Sequence, residues 1–349
     1  MRSVAELEHY LLSKKLSLEQ CALTYLRTLP EVSLSLRIPT AYADLINWTD
    51  INDPLRKIVV PSEAEMTIQP YEVLDPIGDA AREVVPGLIH RYPDRVLLLL
   101  TSYCLVHCRF CFRKEVVGKV RPVAFTAMRQ YLTQHTEVRE LIFSGGDPFT
   151  FPVGFLESMI EHFSSLKHVT TWRFHTRIPA VDPQAVTEEF LHILGSIEKM
   201  GIKVIVVIHI DHPRELTSNV QSLITKLREQ RILVLSQTVL LREVNDSAET
   251  LLDLFRKLTL SGVMPYYLHH LDQAPGTHHF RVSIEQGKRL FQSLRGQTAG
   301  YALPEYVLDL PGGQGKVPVM WLKKIGESQY QVTNFEGKTI TYHDHATEA

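Results

Sequence analysis

Residues 96–111 read VLLLLTSYCLVHCRFC, an apolar run followed at once by three cysteines. The run 96–101 has the length and apolar content of a buried β-strand. Cys104, Cys108 and Cys111 follow it with the spacing C-x3-C-x2-C. Crowded thiols in a chain long enough to bury a full core are typical of a metal site and not of a disulfide framework. The stretch therefore predicts a strand whose end carries a metal-binding loop.

Beyond this stretch, short apolar segments alternate with amphipathic segments of helical period. The predicted strands are 96–101, 140–144, 171–175, 203–209, 233–239 and 266–270. The helices predicted between them include 152–166, 183–200, 215–230 and 248–260. Repeats of this spacing predict an α/β fold, a parallel sheet curled into a partial (β/α)6-type barrel with chemistry at the C-terminal strand ends.

Changes in this pattern predict three parts of the chain. Residues 1–85 form an N-terminal helical cap, in which 5–26 has helical apolar spacing. Residues 86–290 form the barrel, and residues 291–349 form a C-terminal segment.

Charge and hydropathy exclude several classes of partner. With 37 Lys and Arg against 39 Asp and Glu, the net charge of -2 predicts no broad basic surface for nucleic acid. The first 16 residues mix charges with apolar residues, unlike a signal peptide. The longest apolar runs, 96–100 and 204–208, are too short to span a membrane. We expect a cytoplasmic protein without a membrane or nucleic-acid partner.

The cysteine spacing favours an iron–sulfur cluster. Three thiolates hold three irons of a cubane and leave the fourth iron open to a ligand, whereas four cysteines close the site. Zinc is the alternative, but structural zinc prefers four ligands in C-x2-C pairs, and this segment has only one such pair. His107 is the nearest candidate for a fourth zinc ligand, and beside Cys108 it has little room to reach the same metal.

A glycine-rich stretch near the C-terminus carries a second candidate site. Residues 308–318 read LDLPGGQGKVP. Glycine backbone lets a cofactor approach closely, and Lys316 is able to form a Schiff base with a carbonyl cofactor. A flexible surface turn is the alternative. A Walker A loop is not indicated, because Val317 occupies its Ser/Thr position.

Together, the two motifs resemble those of the lysine 2,3-aminomutase family of radical S-adenosylmethionine enzymes. The resemblance runs from about Arg91 to Tyr342 and includes RYPDR at 91–95, SQTVLLR at 236–242, HFR at 279–281 and NFEG at 334–337. It implies three cofactors: a [4Fe-4S] cluster, S-adenosylmethionine and pyridoxal 5′-phosphate. It also implies reductive cleavage of S-adenosylmethionine to a 5′-deoxyadenosyl radical.

The resemblance also implies which residues bind the cofactors. Lys316 matches the lysine that holds pyridoxal phosphate, and Arg91 and Arg95 match arginines near that cofactor. The cluster ligands are the three cysteines. The positions matched to the S-adenosylmethionine site are Ser144, Gly145, Gly146, Asp147, His209 and Gln237. For His209, a hydrogen-bonded structural histidine is the alternative.

Three further positions match substrate-binding residues. Arg113 matches the residue that pairs with the substrate carboxylate, a task suited to a guanidinium fork. Asp272 and Asp309 match two carboxylates that hold the distal ammonium of lysine. Two buried acids repel each other unless a cation lies between them, so the pair implies a basic substrate. Surface arginine and turn aspartates are the alternatives.

The implied reaction is migration of the amino group of L-lysine from C2 to C3, giving β-lysine. Arginine 2,3-aminomutase, or a radical enzyme that modifies RNA or protein without pyridoxal phosphate, are the alternatives. Residues 264–269 and the short tail after Gly337 favour (R)-β-lysine for a ligase that modifies elongation factor P, whereas Asp309 and PGGQGK favour a metabolic enzyme. The resemblance further implies a reducing partner such as flavodoxin or ferredoxin, and a homo-oligomer.

Overall fold

A computed structural model describes residues 1–29, 34–119 and 122–346. Its main feature is one ten-stranded sheet in which the strands lie side by side in chain order. The strands of this sheet are β1 (Glu83–Val85), β2 (Leu88–Tyr92), β3 (Arg95–Thr101), β4 (Glu140–Gly145), β5 (Thr171–Thr176), β6 (Lys203–His209), β7 (Leu233–Val239), β8 (Met264–His269), β9 (Glu305–Leu310) and β10 (Gly315–Pro318). A second sheet holds β11 (Lys323–Lys324), β12 (Gln329–Thr333) and β13 (Thr339–His343).

The α-helices lie before the sheet and in the connections between its strands. They are α1 (Val4–Ser13), α2 (Thr40–Ala43), α3 (Pro54–Val59), α4 (Phe125–Gln134), α5 (Val153–Phe163), α6 (Ile178–Val181), α7 (Glu188–Lys199), α8 (Ser218–Glu229), α9 (Ala248–Leu260) and α10 (Ile284–Leu294). Among the described residues, no helix is both long and apolar enough to cross a membrane.

The sheet confirms the predicted parallel barrel. Strands β3 to β9 are parallel, and at least one helix lies in each connection between consecutive strands. Antiparallel strands flank this parallel part, with β2 beside β3 and β10 beside β9. Within the described residues β1 and β10 do not pair with each other, so the barrel is partial.

Side-chain alternation explains why the strands form where they do. In β3, Val96, Leu98 and Leu100 are buried and the residues between them are partly exposed. Because successive side chains of a strand point to opposite faces, one face of β3 joins the core. That core also contains Met128 and Leu132 of α4.

Ser and Thr side chains fix the starts of four connecting helices. Thr187, Thr217, Ser247 and Ser283 each accept a hydrogen bond from a backbone N–H in the first turn of α7, α8, α9 and α10 respectively. Such caps satisfy backbone donors that the helix itself leaves unpaired. They also explain why α7 and α8 begin several residues after the predicted starts at 183 and 215, since short 3-10 turns precede both caps.

The N-terminal region is less helical than predicted. The spacing over 5–26 predicts helix, but α1 ends at Ser13 and only a short 3-10 turn follows, at Thr24–Arg27. Lys15 and Ala22 have φ of 62° and 50°, a left-handed conformation that interrupts a helix. The prediction of continuous helix over this stretch is therefore wrong.

The division into three parts at 85/86 and 290/291 stays a prediction. The main sheet begins at Glu83 and ends at Pro318, so it extends across both proposed boundaries.

Candidate active site

Most of the predicted functional residues lie on or just after the C-terminal ends of the parallel strands, or on the antiparallel hairpin that follows them. Arg91 and Arg95 do not, because they lie in β2 and at the start of β3. The cysteine loop follows β3, Ser144 and Gly145 end β4, and His209 ends β6. Gln237 lies in β7, Asp272 follows β8, and Asp309 and Lys316 lie in β9 and β10. In parallel α/β sheets this edge is where ligands bind.

The cysteine loop is anchored to the N-terminal region. The buried Arg109 lies between Cys108 and Cys111 and forms a two-pronged ion pair with Glu65, with Nε–Oε1 and Nη2–Oε2 distances of 3.0 and 2.6 Å. Arg37 Nη1 donates to the Cys104 carbonyl oxygen at 3.0 Å. Sequence reasoning missed both anchors, because nothing in the local pattern links residues so far apart in the chain.

The donor set fits a cluster held by three cysteines. All three thiols are partly buried and unpaired by disulfides. Burial raises the pKa of Cys108 to about 12, so this thiol is protonated until a metal displaces the proton. In a cubane each cysteine binds a different iron. In the part of the chain that the structure describes, no group of three His, Cys, Asp or Glu side chains is arranged so that it could hold a single metal ion.

His107 is not oriented as a fourth ligand. Its Nδ1–H donates to the Ser35 carbonyl oxygen at 2.7 Å, and burial lowers its pKa to about 4. The geometry therefore does not support the alternative of a zinc site completed by this histidine.

The glycines after β4 are required by close backbone packing against the cysteine loop. A Cβ on Gly145 would lie 2.3 Å from the Thr101 carbonyl oxygen, and one on Gly146 would lie 2.3 Å from that of Tyr103. The backbone N–H of Gly146 donates to Thr101 at 2.6 Å. Strand β4 and the cysteine loop are thereby held together at the barrel edge.

The Asp147 carboxylate makes its hydrogen bonds within the protein. Its buried carboxylate accepts hydrogen bonds from Thr176 Oγ1 at 2.6 Å and from the backbone N–H groups of Phe149, Arg177 and Ile178. These four donors join the end of β4 to the end of β5. They leave Asp147 little capacity for a cofactor amino group.

Lys316 and Asp309 form an ion pair across the β9–β10 hairpin. They are directly opposite in register, and Lys316 Nζ lies 2.6 and 2.9 Å from the two carboxylate oxygens. Burial by itself would raise the pKa of Asp309, but the Lys316 ammonium and His269 lower it below its ordinary value. The backbone N–H of Lys316 donates to the Tyr92 hydroxyl at 2.7 Å, which fixes the strand.

Asp272 is the second acid of the predicted pair. Burial, followed by the negative charge of Asp309, raises the pKa of Asp272 to about 8. Among the described residues, its carboxylate has no hydrogen bond or ion pair with a side chain. The structure thus places an acid without a cation partner near an acid already paired with Lys316.

Two of the three predicted arginines, Arg91 and Arg113, contact the same acid, Asp79, which was not predicted. Arg91 Nη2 lies 2.8 Å from Asp79 Oδ1, and Arg113 Nη2 lies 2.6 Å from Asp79 Oδ2. Arg91 Nη1 also lies 3.8 Å from Asp309 Oδ1. Arg95, by contrast, pairs with the exposed Asp94 at 2.6 Å. The site is therefore a chain of alternating charges that ends at Lys316.

The strand-end residues of β5, β6 and β7 interact in pairs. The Nε2–H of His209 donates to Asp211 Oδ1 at 3.0 Å. The Nδ1–H of His175 donates to Gln237 Oε1 at 2.8 Å, and His175 Nε2 is buried without a hydrogen-bond partner among the described residues. His175 was not predicted as a site residue, although its place at a strand end was a signal for it.

Matches to known proteins agree with this arrangement. Residues 93–195 match a family model described as a 4Fe-4S single cluster domain, and residues 291–348 match one described as lysine-2,3-aminomutase. The chain is 36% identical over 336 residues to a putative L-lysine 2,3-aminomutase of Aquifex aeolicus, covering 91% of this chain and 89% of that protein.

Two further relatives have similar sequence identities to the chain. The L-lysine 2,3-aminomutase of Clostridium subterminale is 35% identical over 316 residues, covering 89% of this chain and 75% of that one. The Escherichia coli protein of the same name is 34% identical over 290 residues, with coverages of 82% and 83%. Among solved structures, Streptococcus suis SuiB bound to S-adenosylmethionine aligns at a TM-score of 0.46 and 14% identity, over 66% of this chain and 53% of that one.

The partial parallel barrel, the three-cysteine loop and the cluster-domain match define the class, a radical S-adenosylmethionine enzyme. Within that class, the chain belongs to the lysine 2,3-aminomutase family, whose members are isomerases. The predicted family and enzyme class are therefore confirmed.

Proposed function

We propose that this enzyme moves the amino group of L-lysine from C2 to C3 and releases β-lysine. The observation that carries the proposal is the pair of acids at the ends of β8 and β9. Asp309 already binds an ammonium group, that of Lys316, at 2.6 Å. Burial and the charge of Asp309 raise the pKa of Asp272 to about 8, so its carboxyl is largely neutral at pH 7 and an additional cation would favour its ionised form.

Lys316 suits a role as the lysine that binds pyridoxal phosphate. It lies at the end of a glycine-rich hairpin, and about a third of its side chain is exposed, so a carbonyl cofactor is able to reach it. A lysine joined to such a cofactor no longer carries its ammonium. We propose that Asp309 would bind the distal ammonium of the substrate once the Lys316 side chain has moved away from it toward the cofactor.

Positive charge next to this lysine suits the cofactor phosphate. Arg91 is nearly buried, with 9% of its side chain exposed, and Arg95 lies over the Tyr92 ring at 3.9 Å. Arg91 lies in β2 and Arg95 begins β3, and Tyr92 between them contacts the hairpin that carries Lys316. We propose that these two guanidinium groups bind the phosphate.

The other half of the site suits the cluster and S-adenosylmethionine. Cys104, Cys108 and Cys111 would hold the cluster, and the backbone at Ser144–Gly146 together with His209 and Gln237 would orient S-adenosylmethionine. When bound, the cluster and S-adenosylmethionine would supply a 5′-deoxyadenosyl radical, and pyridoxal phosphate would supply a π-system over which the unpaired electron is delocalised. The role of the protein is orientation and exclusion of water.

Arg113 completes the substrate site in this proposal. It follows the cysteine loop and would bind the substrate carboxylate, while Asp272 and Asp309 bind the opposite end. A substrate held at both ends presents its C2 and C3 atoms to the radical in one orientation. Glutamate would place a second negative charge between two acids, so the arrangement favours a basic substrate.

The sequence supports four further features of the proposal. They are the cytoplasmic location, the homo-oligomer, the flavodoxin or ferredoxin partner, and (R)-β-lysine as a product for modification of elongation factor P.

The test is an anaerobic assay of the reconstituted enzyme. Iron, sulfide, pyridoxal phosphate, S-adenosylmethionine and dithionite are supplied with L-lysine or L-arginine, and β-amino acids are measured. We expect β-lysine from the wild type and from Lys324→Ala, an exposed control, and none from Lys316→Ala. The variant should also lack the absorbance of bound pyridoxal phosphate.

Two results would contradict the proposal. Product from L-arginine alone would change the substrate. Cleavage of S-adenosylmethionine without any β-amino acid from either substrate would remove the aminomutase assignment and leave a radical enzyme of another specificity.

A further inference from the structure

Asp79 lies between two arginines that have different tasks in the proposed function. Its Oδ1 is 2.8 Å from Arg91 Nη2, and its Oδ2 is 2.6 Å from Arg113 Nη2 and 3.2 Å from Arg113 Nε. Only 14% of the Asp79 side chain is exposed, with 9% for Arg91 and 13% for Arg113. One carboxylate thus fixes both guanidinium groups away from bulk water.

The contact uses only one edge of the Arg113 guanidinium. Asp79 takes the side edge, formed by Nε and Nη2, with a single oxygen. Within the part of the chain that the structure describes, the end edge, formed by Nη1 and Nη2, has one weak contact, from Nη1 to Ser144 Oγ at 3.3 Å. A guanidinium binds a second carboxylate through this end edge by two parallel hydrogen bonds. The Phe112 ring lies 4.5 Å from the Arg113 guanidinium carbon and further restricts it.

Asp79 is itself held by its own segment. The Asp75 carboxylate accepts hydrogen bonds from the backbone N–H groups of Asp79 and Ala80, both at 2.9 Å. The neighbouring Ile77 carbonyl oxygen accepts from Arg91 Nη2 and from the backbone N–H of Gly313, both at 3.0 Å. The segment 75–80 is therefore docked onto the hairpin that carries Lys316, and it presents a fixed carboxylate to Arg113.

We propose that Asp79 is a positioning residue that holds Arg113 with its end edge directed to the substrate carboxylate. The inference rests on the proposed role of Arg113. Asp79 does not contact the substrate, and it acts by removing the freedom of a long side chain before the substrate arrives. It also neutralises one of two nearby positive charges, which allows Arg91 and Arg113 to lie close together.

The test is equilibrium binding of two stable probes to the full chain with its cluster and without pyridoxal phosphate. One probe is N-(phosphopyridoxyl)-L-lysine, a reduced adduct that has a carboxylate. The other is N-phosphopyridoxyl-cadaverine, which differs only by lacking it. The ratio of their dissociation constants measures the carboxylate contact alone, and probe fluorescence reports binding without turnover.

We expect the wild type to prefer the carboxylate probe by about tenfold or more, because a charge-assisted hydrogen-bonded pair contributes that much affinity. In Asp79→Asn the ratio should approach one, while Asp79→Glu should recover part of it. Asp94→Asn, which removes the exposed partner of Arg95, should keep the wild-type ratio.

Three outcomes would overturn the inference in different ways. An unchanged ratio in Asp79→Asn means that Arg113 needs no positioning by Asp79. A larger ratio means that Asp79 competes with the substrate carboxylate. If the wild type prefers neither probe, or Arg113→Gln keeps the preference, the proposed role of Arg113 fails first and the inference fails with it. Thermal unfolding of each variant establishes that the ratio is measured on folded protein.

Discussion

At the scale of single residues, Asp272 is an acid placed where ionisation is costly. Burial and the charge of Asp309 raise its pKa to about 8. An unfolded aspartate titrates near 3.9. Between these two values, folding requires Asp272 to take up a proton. The free energy of unfolding therefore falls as the pH rises through this window.

Asp272→Asn should remove this pH-dependent cost in the cofactor-free protein. We expect the substitution to raise the free energy of unfolding by about 1–3 kcal/mol at pH 8 and by much less at pH 4, because at the lower pH the folded carboxyl is neutral and the unfolded one is only about half ionised. Urea unfolding at the two pH values measures the difference. Asp253→Asn, on the exposed face of α9, is the control. Equal gains at both pH values would contradict the prediction.

The resemblance of the sequence was enough to predict the candidate site residues, but not the side chains that they contact. Motif positions placed Lys316, Asp309 and Arg113 in one site. The cross-strand register that joins Lys316 to Asp309 depends on the hairpin, which the sequence pattern did not resolve. Asp79 lies in a Pro- and Gly-containing turn without periodicity, so only the fold shows that it reaches Arg113.

At the scale of elements, the segment 75–80 and the β9–β10 hairpin touch through glycine backbone. A Cβ on Gly78 would lie 2.1 Å from the backbone nitrogen of Gly313. Since both partners are main chain, neither is able to move aside as a side chain would. This contact keeps Asp79 next to the arginines and the arginines next to Lys316.

Gly78→Ala should therefore lower the free energy of unfolding by more than the positive φ of Gly78 alone would. Gly78 and Gly201 have similar φ values, 69° and 85°, but a Cβ on Gly201 meets nothing within 4 Å. We expect Gly201→Ala to lower the free energy of unfolding by about 1 kcal/mol and Gly78→Ala by about 2–4 kcal/mol. The second variant should also retain less pyridoxal phosphate. Equal losses in urea unfolding would show that the close approach has no importance.

The first six parallel strands, β3 to β8, were predicted well, whereas the seventh, β9, and the antiparallel edges of the sheet were not. Strands β6 and β7 match the predicted ranges, because their apolar runs are bounded by turn residues. Strands β1, β2, β9 and β10 were not predicted, since they are short or contain charged and glycine residues that mask a strand pattern. The antiparallel strand pairs at both edges of the sheet were therefore seen only in the structure.

At the scale of the whole molecule, a buried polar network joins the N-terminal region to the barrel. The Tyr42 hydroxyl donates to Glu215 Oε1 at 2.8 Å, and the same oxygen accepts from Arg177 Nη2 at 2.7 Å. Arg177 also forms an ion pair with Asp211. The Arg177 guanidinium lies 5.7 Å from the ring of Phe110 in the cysteine loop. The N-terminal region and the cysteine loop are thus connected through one group of charges.

Tyr42→Phe should weaken this connection without changing its shape. We expect a loss of about 1–2 kcal/mol in the free energy of unfolding, because Glu215 loses one buried donor. It keeps Arg177 and the backbone N–H groups of Asp211 and His212. Urea unfolding followed by tryptophan fluorescence reports on both regions, since Trp48 lies in the cap and Trp172 in β5. Tyr301→Phe, at an exposed position, is the control. No difference between the two variants would argue against a role for the network in stability.

The chain order of the strands has a consequence for synthesis on the ribosome. Every strand of the main sheet pairs with the strand made just before it, so the sheet is able to grow at one edge during translation. Lys316 lies 205 positions after Cys111. At the usual rate of translation, the cysteine loop leaves the ribosome about 10–40 s before Lys316. The nascent chain thus offers its thiols to cluster assembly well before the lysine is available to a cofactor.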